Sequence, residues 1–162
     1  MPADDITIRD IRIDDAGEVM TLQRAAFVSE ALIYGDPDMP PLTQTLAEVA
    51  GELNENLGCV AQRGSRMVGA VRARIADGLL LIGRLAIAPD VQGGGVGSRL
   101  LDAVERRGAH AGATEAELFT GSLSEANIRL YKRLGYRESE RVQEGDGIEQ
   151  VFLRKSLRSL GG

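Results

Sequence analysis

The run from Arg84 to Leu101, RLAIAPDVQGGGVGSRLL, limits the fold more than any other stretch of the chain. An alternating apolar strand, Leu85-Ala86-Ile87-Ala88, stops at Pro89-Asp90, and Gln92 opens a turn holding Gly93, Gly94, Gly95 and Gly97. An amphipathic helix follows at once. A strand that passes through glycines into a helix N-terminus makes an anion site. The first N–H groups of a helix have no partner inside it, and the macrodipole places partial positive charge there. Without Cβ atoms the backbone closes on a bulky phosphate and adopts positive φ where required. A simple tight turn would not need so many glycines, which cost stability at a helix start.

Three glycine-loop patterns compete for this stretch. The Walker pattern requires a lysine that is absent from the loop. The Gly-x-Gly-x-x-Gly dinucleotide fingerprint fails from Gly93, where Ser98 takes the last position, and from Gly95, where Leu100 does. Gln-x-x-Gly-x-Gly remains, at Gln92, Gly95 and Gly97. A second pattern lies downstream: Ser124, Asn127, Leu130, Tyr131, Gly135 and Tyr136 in SEANIRLYKRLGY.

Together these two stretches resemble the GNAT superfamily of acetyl-CoA-dependent N-acetyltransferases. The first is similar to its pyrophosphate loop, the second to its Ser-x-x-Asn-x-x-Leu-Tyr motif, and the pair covers Leu85 to Tyr136. The resemblance implies an α+β fold: a central mixed, mostly antiparallel sheet of about seven strands, helices on both faces, and a splayed parallel pair at the centre. It implies acetyl-CoA as co-substrate, with the pantetheine arm pairing to Leu85, Ala86 and Ile87 and the pyrophosphate on Gly93, Gly94, Gly95, Val96, Gly97 and Ser98. Gln92 would fix the loop or contact the cofactor, and Asn127 would touch the arm one helical turn before Tyr131. Tyr131 would stand beside the sulfur as general acid, and a backbone N–H near Ile87 would serve the oxyanion. Its alternative role is that of a core aromatic on the buried helix stripe.

The general base is less determined. In part of the family a glutamate precedes the second motif, at a place close to Phe119 here. Glu117 shares a strand face with Phe119, Glu30 lies in an acidic segment, and a water chain would need no carboxylate. Glu30 is the candidate base. The alternative to an enzyme is a non-catalytic acyl-CoA-binding or sensing module of the same fold.

Bulk properties narrow the partners. A chain of 162 residues reads as one domain over 1–158 with a flexible tail at 159–162. A net charge of −5 argues against nucleic acid or an anionic membrane as partner and suits a cationic amine, small molecule or peptide. One histidine and one cysteine cannot build a zinc site, so no metal is expected. The lone Cys59 reads as a core residue of a cytoplasmic protein. The acidic N-terminus reads as neither signal peptide nor anchor. A homodimer through the last strands is implied only by analogy with such folds.

The remaining chain reads as follows. Ile6 to Arg9 is a first strand. Asp15 with Glu18 and Thr45 with Glu48 are capping patterns, Ile13 staples the first, and Ser124 caps a later helix. Glu30 to Leu42 is an irregular segment whose acids, Glu30, Asp36 and Asp38, form either a solvated loop or the rim of an acceptor site. Strands at Leu57 to Gln62 and Met67 to Ile75, with Arg72 and Arg74 alternating against apolar residues, lead to an Asp77-Gly78 hairpin turn. Leu79 to Ala88 reads as a central strand buried on both faces. Val96, Leu100, Leu101 and Val104 form the inner stripe of a helix, which leads to a strand at Glu115 to Thr120 parallel to Leu79–Ala88. Two last strands, Tyr136 to Arg141 and Ile148 to Leu157, close the fold.

Overall fold

The structure is a computed structural model and describes residues 5–145 and 147–157. The expected tail, 159–162, and Asp146 of the last turn lie outside the described residues. Seven strands form one sheet: β1 (Ile6–Asp10), β2 (Leu57–Arg63), β3 (Arg66–Ala76), β4 (Leu79–Ile87), β5 (Glu115–Gly121), β6 (Arg137–Gly145) and β7 (Ile148–Ser156). Their order is β1-β2-β3-β4-β5-β7-β6, and every pairing is antiparallel except β4 with β5. Among the described residues six α-helices accompany them: α1 (Ala16–Ala26), α2 (Val28–Tyr34), α3 (Pro40–Thr43), α4 (Leu46–Glu55), α5 (Val96–His110) and α6 (Glu125–Arg133). The expected α+β architecture is the one observed. Among the described residues no helix is long and apolar enough to cross a membrane.

Burial explains the layers. Val96, Leu100, Leu101 and Val104 of α5 are all buried, and the helix packs on β2, β3 and β4. Across the sheet, α1 packs on β3 and β4 and α4 packs on α1, with Val19, Leu22, Val49 and Leu53 inward. Cys59 is fully buried in the core, and that burial pushes its thiol pKa up. Asp77 and Gly78 both have positive φ (52° and 77°), the geometry of a two-residue hairpin turn that matches strand twist.

Several sequence expectations need correction. The segment Glu30–Leu42 is not irregular: α2 and α3 occupy much of it, and the breakers only separate them. Arg72 does not alternate outward. It is 3% exposed, because β3 is covered on both faces from Met67 to Ala73. Asp15 and Ser124 make no side-chain caps. Asp15 instead accepts both guanidinium N–H bonds of Arg9 (2.8 and 2.9 Å) and the N–H of Arg12 (2.8 Å), which hold its carboxyl below the usual range. Ile13 is half exposed and staples nothing.

The central strand is also not uniformly buried. Leu80 packs on Gly108 of α5, where a Cβ would stand 2.6 Å from Leu80 Cδ2. Leu85 and Ile87 turn to the same helix beside Gly97. Even and odd positions of one strand share a face only when an extra residue intervenes. That residue lies by Arg84, whose φ is +54°, where three steps of β4 (Gly83 to Ala86) face two steps of β3 (Ala70 to Arg72). The bulge bends β4 away from β5. The two strands pair only from Leu79–Glu115 to Leu81–Glu117, while β5 continues along β7 to Gly121.

Candidate active site

Where β4 and β5 part, the sheet opens into a cleft of about 1150 Å³. The N–H of Ala88 donates to the carbonyl of Val68 on β3 (2.9 Å). Strand alternation therefore turns the backbone groups of Ile87 toward the gap, with those of Leu85 on the same side. Ala86 lies in register with Ala70, so its backbone is engaged by β3 and it does not line the cleft. The carbonyl of Ile87 accepts from Gln92 Nε2 (3.3 Å), which ties the glycine turn back to the strand it leaves.

The turn delivers α5 to the cleft with its N-terminus bare. Gly95 is the residue before the helix, at φ +86°, and among the described residues no side chain caps it. Gly93 also needs the left-handed region, at φ +85°, where an L side chain is strained. Gly93, Gly95, Val96, Gly97 and Ser98 line the cleft, and Gly94 sits outside it over a smaller surface depression. These amides and the positive helix end form a concave anion cradle. The position fits a diphosphate on electrostatic and steric grounds.

The far wall is α6. Tyr131 is 7% exposed and lines the cleft, and its hydroxyl has no hydrogen-bond partner among the described residues. Burial, with a smaller push from the charge of Glu30, raises its pKa to about 12, so the phenol keeps its proton throughout the physiological range. The ring meets that of Tyr136 edge to face at 6.2 Å. Tyr136 is in turn fixed by a 2.8 Å bond from its hydroxyl to Glu105 Oε2 on α5, whose other oxygen accepts from Lys155 Nζ (2.8 Å). Tyr131 is thus held by packing and free at its polar end.

Glu30 reaches the same place from α2. Its Oε2 accepts from Ser124 Oγ (2.6 Å) and its Oε1 from Asn127 Nδ2 (3.1 Å). Because the Ser124 hydroxyl spends its one proton on Glu30, Tyr34 must donate to Ser124 across their 2.7 Å contact. Tyr34, Ser124 and Asn127 thereby orient one carboxylate. Sequence shows Tyr34 beside the acids of this segment, but its bond to Ser124 and the bond of Ser124 to Glu30 join residues too far apart in the chain to be read from it. Glu117 does not join the group. It forms an ion pair with Arg154 (2.9 Å) and stays out of the cleft, whereas Phe119 lines it.

These features are those of a known group of proteins. A model of the acetyltransferase (GNAT) family matches residues 18–136. The chain belongs to the acetyltransferase (GNAT) family. The match contains the bare helix end, the parted strands and Tyr131. An uncharacterized N-acetyltransferase of Bacillus subtilis, YjcF, is 29% identical over 136 residues, covering 83% of this chain and 91% of that one. Two solved structures share the fold. One is the ribosomal-protein-S18-alanine N-acetyltransferase of Escherichia coli (TM-score 0.78, 16% identity, 97% and 96% of the two chains). The other is the PaiA N-acetyltransferase of Thermoplasma acidophilum in complex with coenzyme A (TM-score 0.75, 18% identity, 93% and 98%). This GNAT chain keeps the family's sheet, and membership supports acetyl transfer from acetyl-CoA as its general chemistry.

Proposed function

We propose that this protein moves an acetyl group from acetyl-CoA to a primary amine by direct attack in a ternary complex. The observation that carries the reading is the cleft itself: the uncapped amides of α5 open onto the gap between β4 and β5, and a buried, protonated phenol stands in the same gap.

Bound acetyl-CoA supplies the acetyl group as a thioester, whose C–S bond is exchanged for a C–N bond. The amides of Gly93, Gly95, Val96, Gly97 and Ser98 hold the diphosphate, and the gap-facing backbone of Leu85 and Ile87 aligns the extended arm as a neighbouring strand would. The N–H of Ile87 donates to the carbonyl oxygen as negative charge gathers there. Glu30, oriented through Ser124 and Asn127, accepts the proton that the acceptor ammonium group loses before it attacks as the neutral amine. As the C–N bond forms the nitrogen sheds its second proton to solvent, Tyr131 gives its proton to the departing sulfur as the C–S bond breaks, and solvent reprotonates Tyr131, so the products are the N-acetyl amine and the free thiol. The acids Glu30 and Asp36 at the rim attract the cationic acceptor. The single buried cysteine suits the cytoplasm, where thiols stay reduced.

Calorimetric titration with acetyl-CoA tests the binding half of this reading, and absence of binding at high micromolar concentration overturns it. Thiol release across a panel of amines tests the catalytic half. Tight acetyl-CoA binding with no thiol release on any amine would support a sensing module instead.

A further inference from the structure

The wall of the cleft that faces α1 and α4 holds a charged group to which the chemistry above gives no task. Arg72 of β3 donates from Nη1 to Gln23 Oε1 (3.2 Å) and from Nη2 to Gln44 Oε1 (3.3 Å) and Glu52 Oε1 (3.4 Å). Its buried Nε has no partner among the described residues. Arg84 of β4 joins the group with Nε 3.4 Å from the same Gln44 oxygen, and it lines the cleft. Among the described residues its two terminal nitrogens have no hydrogen-bond partner, which leaves a planar fork of donors uncommitted.

The charge in this group does not balance. Two guanidinium groups share one carboxylate, Glu52, and both are largely desolvated, which lowers their pKa values; Arg84 also depresses that of Arg72. Gln23 and Gln44 are neutral. An excess cation in a half-buried setting is costly unless an anion meets it. Arg84 is also held at φ +54°, although Gly83 beside it would carry a left-handed backbone without strain. A side chain kept at a strained position on a cleft wall points to use by a ligand. Glu30 and Asp36 line the same cleft, so its acceptor side offers carboxylates and an unpaired guanidinium together.

We propose that Arg84 is the carboxylate-binding residue of the acceptor site, and that the acceptor is an amino carboxylate, a small molecule with a primary amine and a carboxylate. This rests on the acetyltransfer reading above. Arg84 takes the carboxylate through a forked pair of N–H bonds, and the amine end is left for Glu30. Gln44 braces the guanidinium from behind through its bond to Nε. Three residues separate Arg84 from Ile87, and the bulge shortens that span below the roughly 10 Å of a regular strand, so the amine-to-carboxylate spacing of the acceptor is the quantity to scan.

The test measures thiol release and acceptor binding with matched pairs: α-amino acids and ω-amino acids of increasing length, each against its carboxamide. The expected result is a kcat/KM for at least one acid that exceeds that of its carboxamide at least tenfold. In Arg84→Gln that ratio falls to near one, and Arg84→Lys recovers part of it. Arg84→Gly, which relaxes the backbone, shows the same loss and guards against a folding artefact; thermal melts check both variants. Equal rates on acids and carboxamides overturn the proposal and leave the transferase reading standing. Failure of acetyl-CoA to bind overturns the transferase reading itself. If acetyl-CoA binds and no acceptor turns over, calorimetric titration of the same pairs in the presence of CoA decides: carboxylate-dependent binding that Arg84→Gln abolishes supports the subsite, and its absence overturns it.

Discussion

The N-termini of α4 and α5 receive opposite treatment. At α4 the protein satisfies the free donors itself: Thr45 Oγ1 accepts from the N–H of Glu48 (3.1 Å), and Glu48 Oε1 accepts from the N–H of Thr45 (2.9 Å). At α5 the residue in the capping position is Gly95, which has no side chain to offer. The first turn of α4 carries an acid, Glu48, and the first turn of α5 carries none. A helix end that serves only stability is closed by nearby side chains. One that serves a ligand keeps its amides and its dipole exposed, and here it also opens on a cleft.

Breaking the chemistry at the bare end gives the largest expected effect. If that end aims an acyl group at the phenol, Tyr131→Phe lowers kcat by about 1000-fold, within the usual range for loss of a general acid, while acetyl-CoA affinity measured by calorimetry changes less than twofold. Unchanged turnover would remove Tyr131 from the mechanism. Gly95→Val comes next. A β-branched residue at φ +86° rearranges the turn and misaims the amides, and acetyl-CoA binding weakens by about 100-fold. An affinity within threefold of the parent would show that the cradle does not hold the diphosphate.

Thr45→Ala sharpens the contrast from the other side. It costs about 1 kcal/mol, read as a drop in Tm of about 2–4 °C, and leaves acetyl-CoA affinity where it was. The last expectation is for no change at all. Because burial raises the Tyr131 pKa to about 12, the acid form persists above the ordinary tyrosine range. The Tyr131 contribution to kcat therefore stays flat from pH 8 to 10, and an alkaline loss centred near 10 that Tyr131→Phe removes would contradict the assignment.

Capping itself shows what local sequence conveys. Thr45 and Glu48 cap as their spacing predicts, because both partners lie within one helical turn and nothing else claims them. Asp15 and Ser124 have the same chemistry and do not cap. Arg9 takes Asp15 into a paired ion bond. Glu30, 94 residues earlier in the chain, takes the hydroxyl of Ser124. A capping residue advertises an ability, and tertiary competitors decide whether it is used.

Much of the rest was readable because it is local. The strand–glycine–helix run, the Asp77-Gly78 turn, the inner stripe of α5 and the Asn127–Tyr131 spacing each depend on a few neighbouring residues and a fixed period. The two motifs among them carry the resemblance that implies the fold class and names the proposed anion cradle and candidate acid. Other features required distant elements to meet. The bulge at Arg84 exists only as a mismatch between β3 and β4, and it is what parts β4 from β5. The burial of Arg72, the orientation of Glu30 by Tyr34 and Ser124, and the uncommitted fork of Arg84 arise from contacts between segments 20 to 94 residues apart. Sequence periodicity reports which face a residue prefers, and it carries no information on which remote group will stand opposite. The proposed phosphate end of the site was written in a single stretch of chain; the proposed acceptor end was assembled by packing.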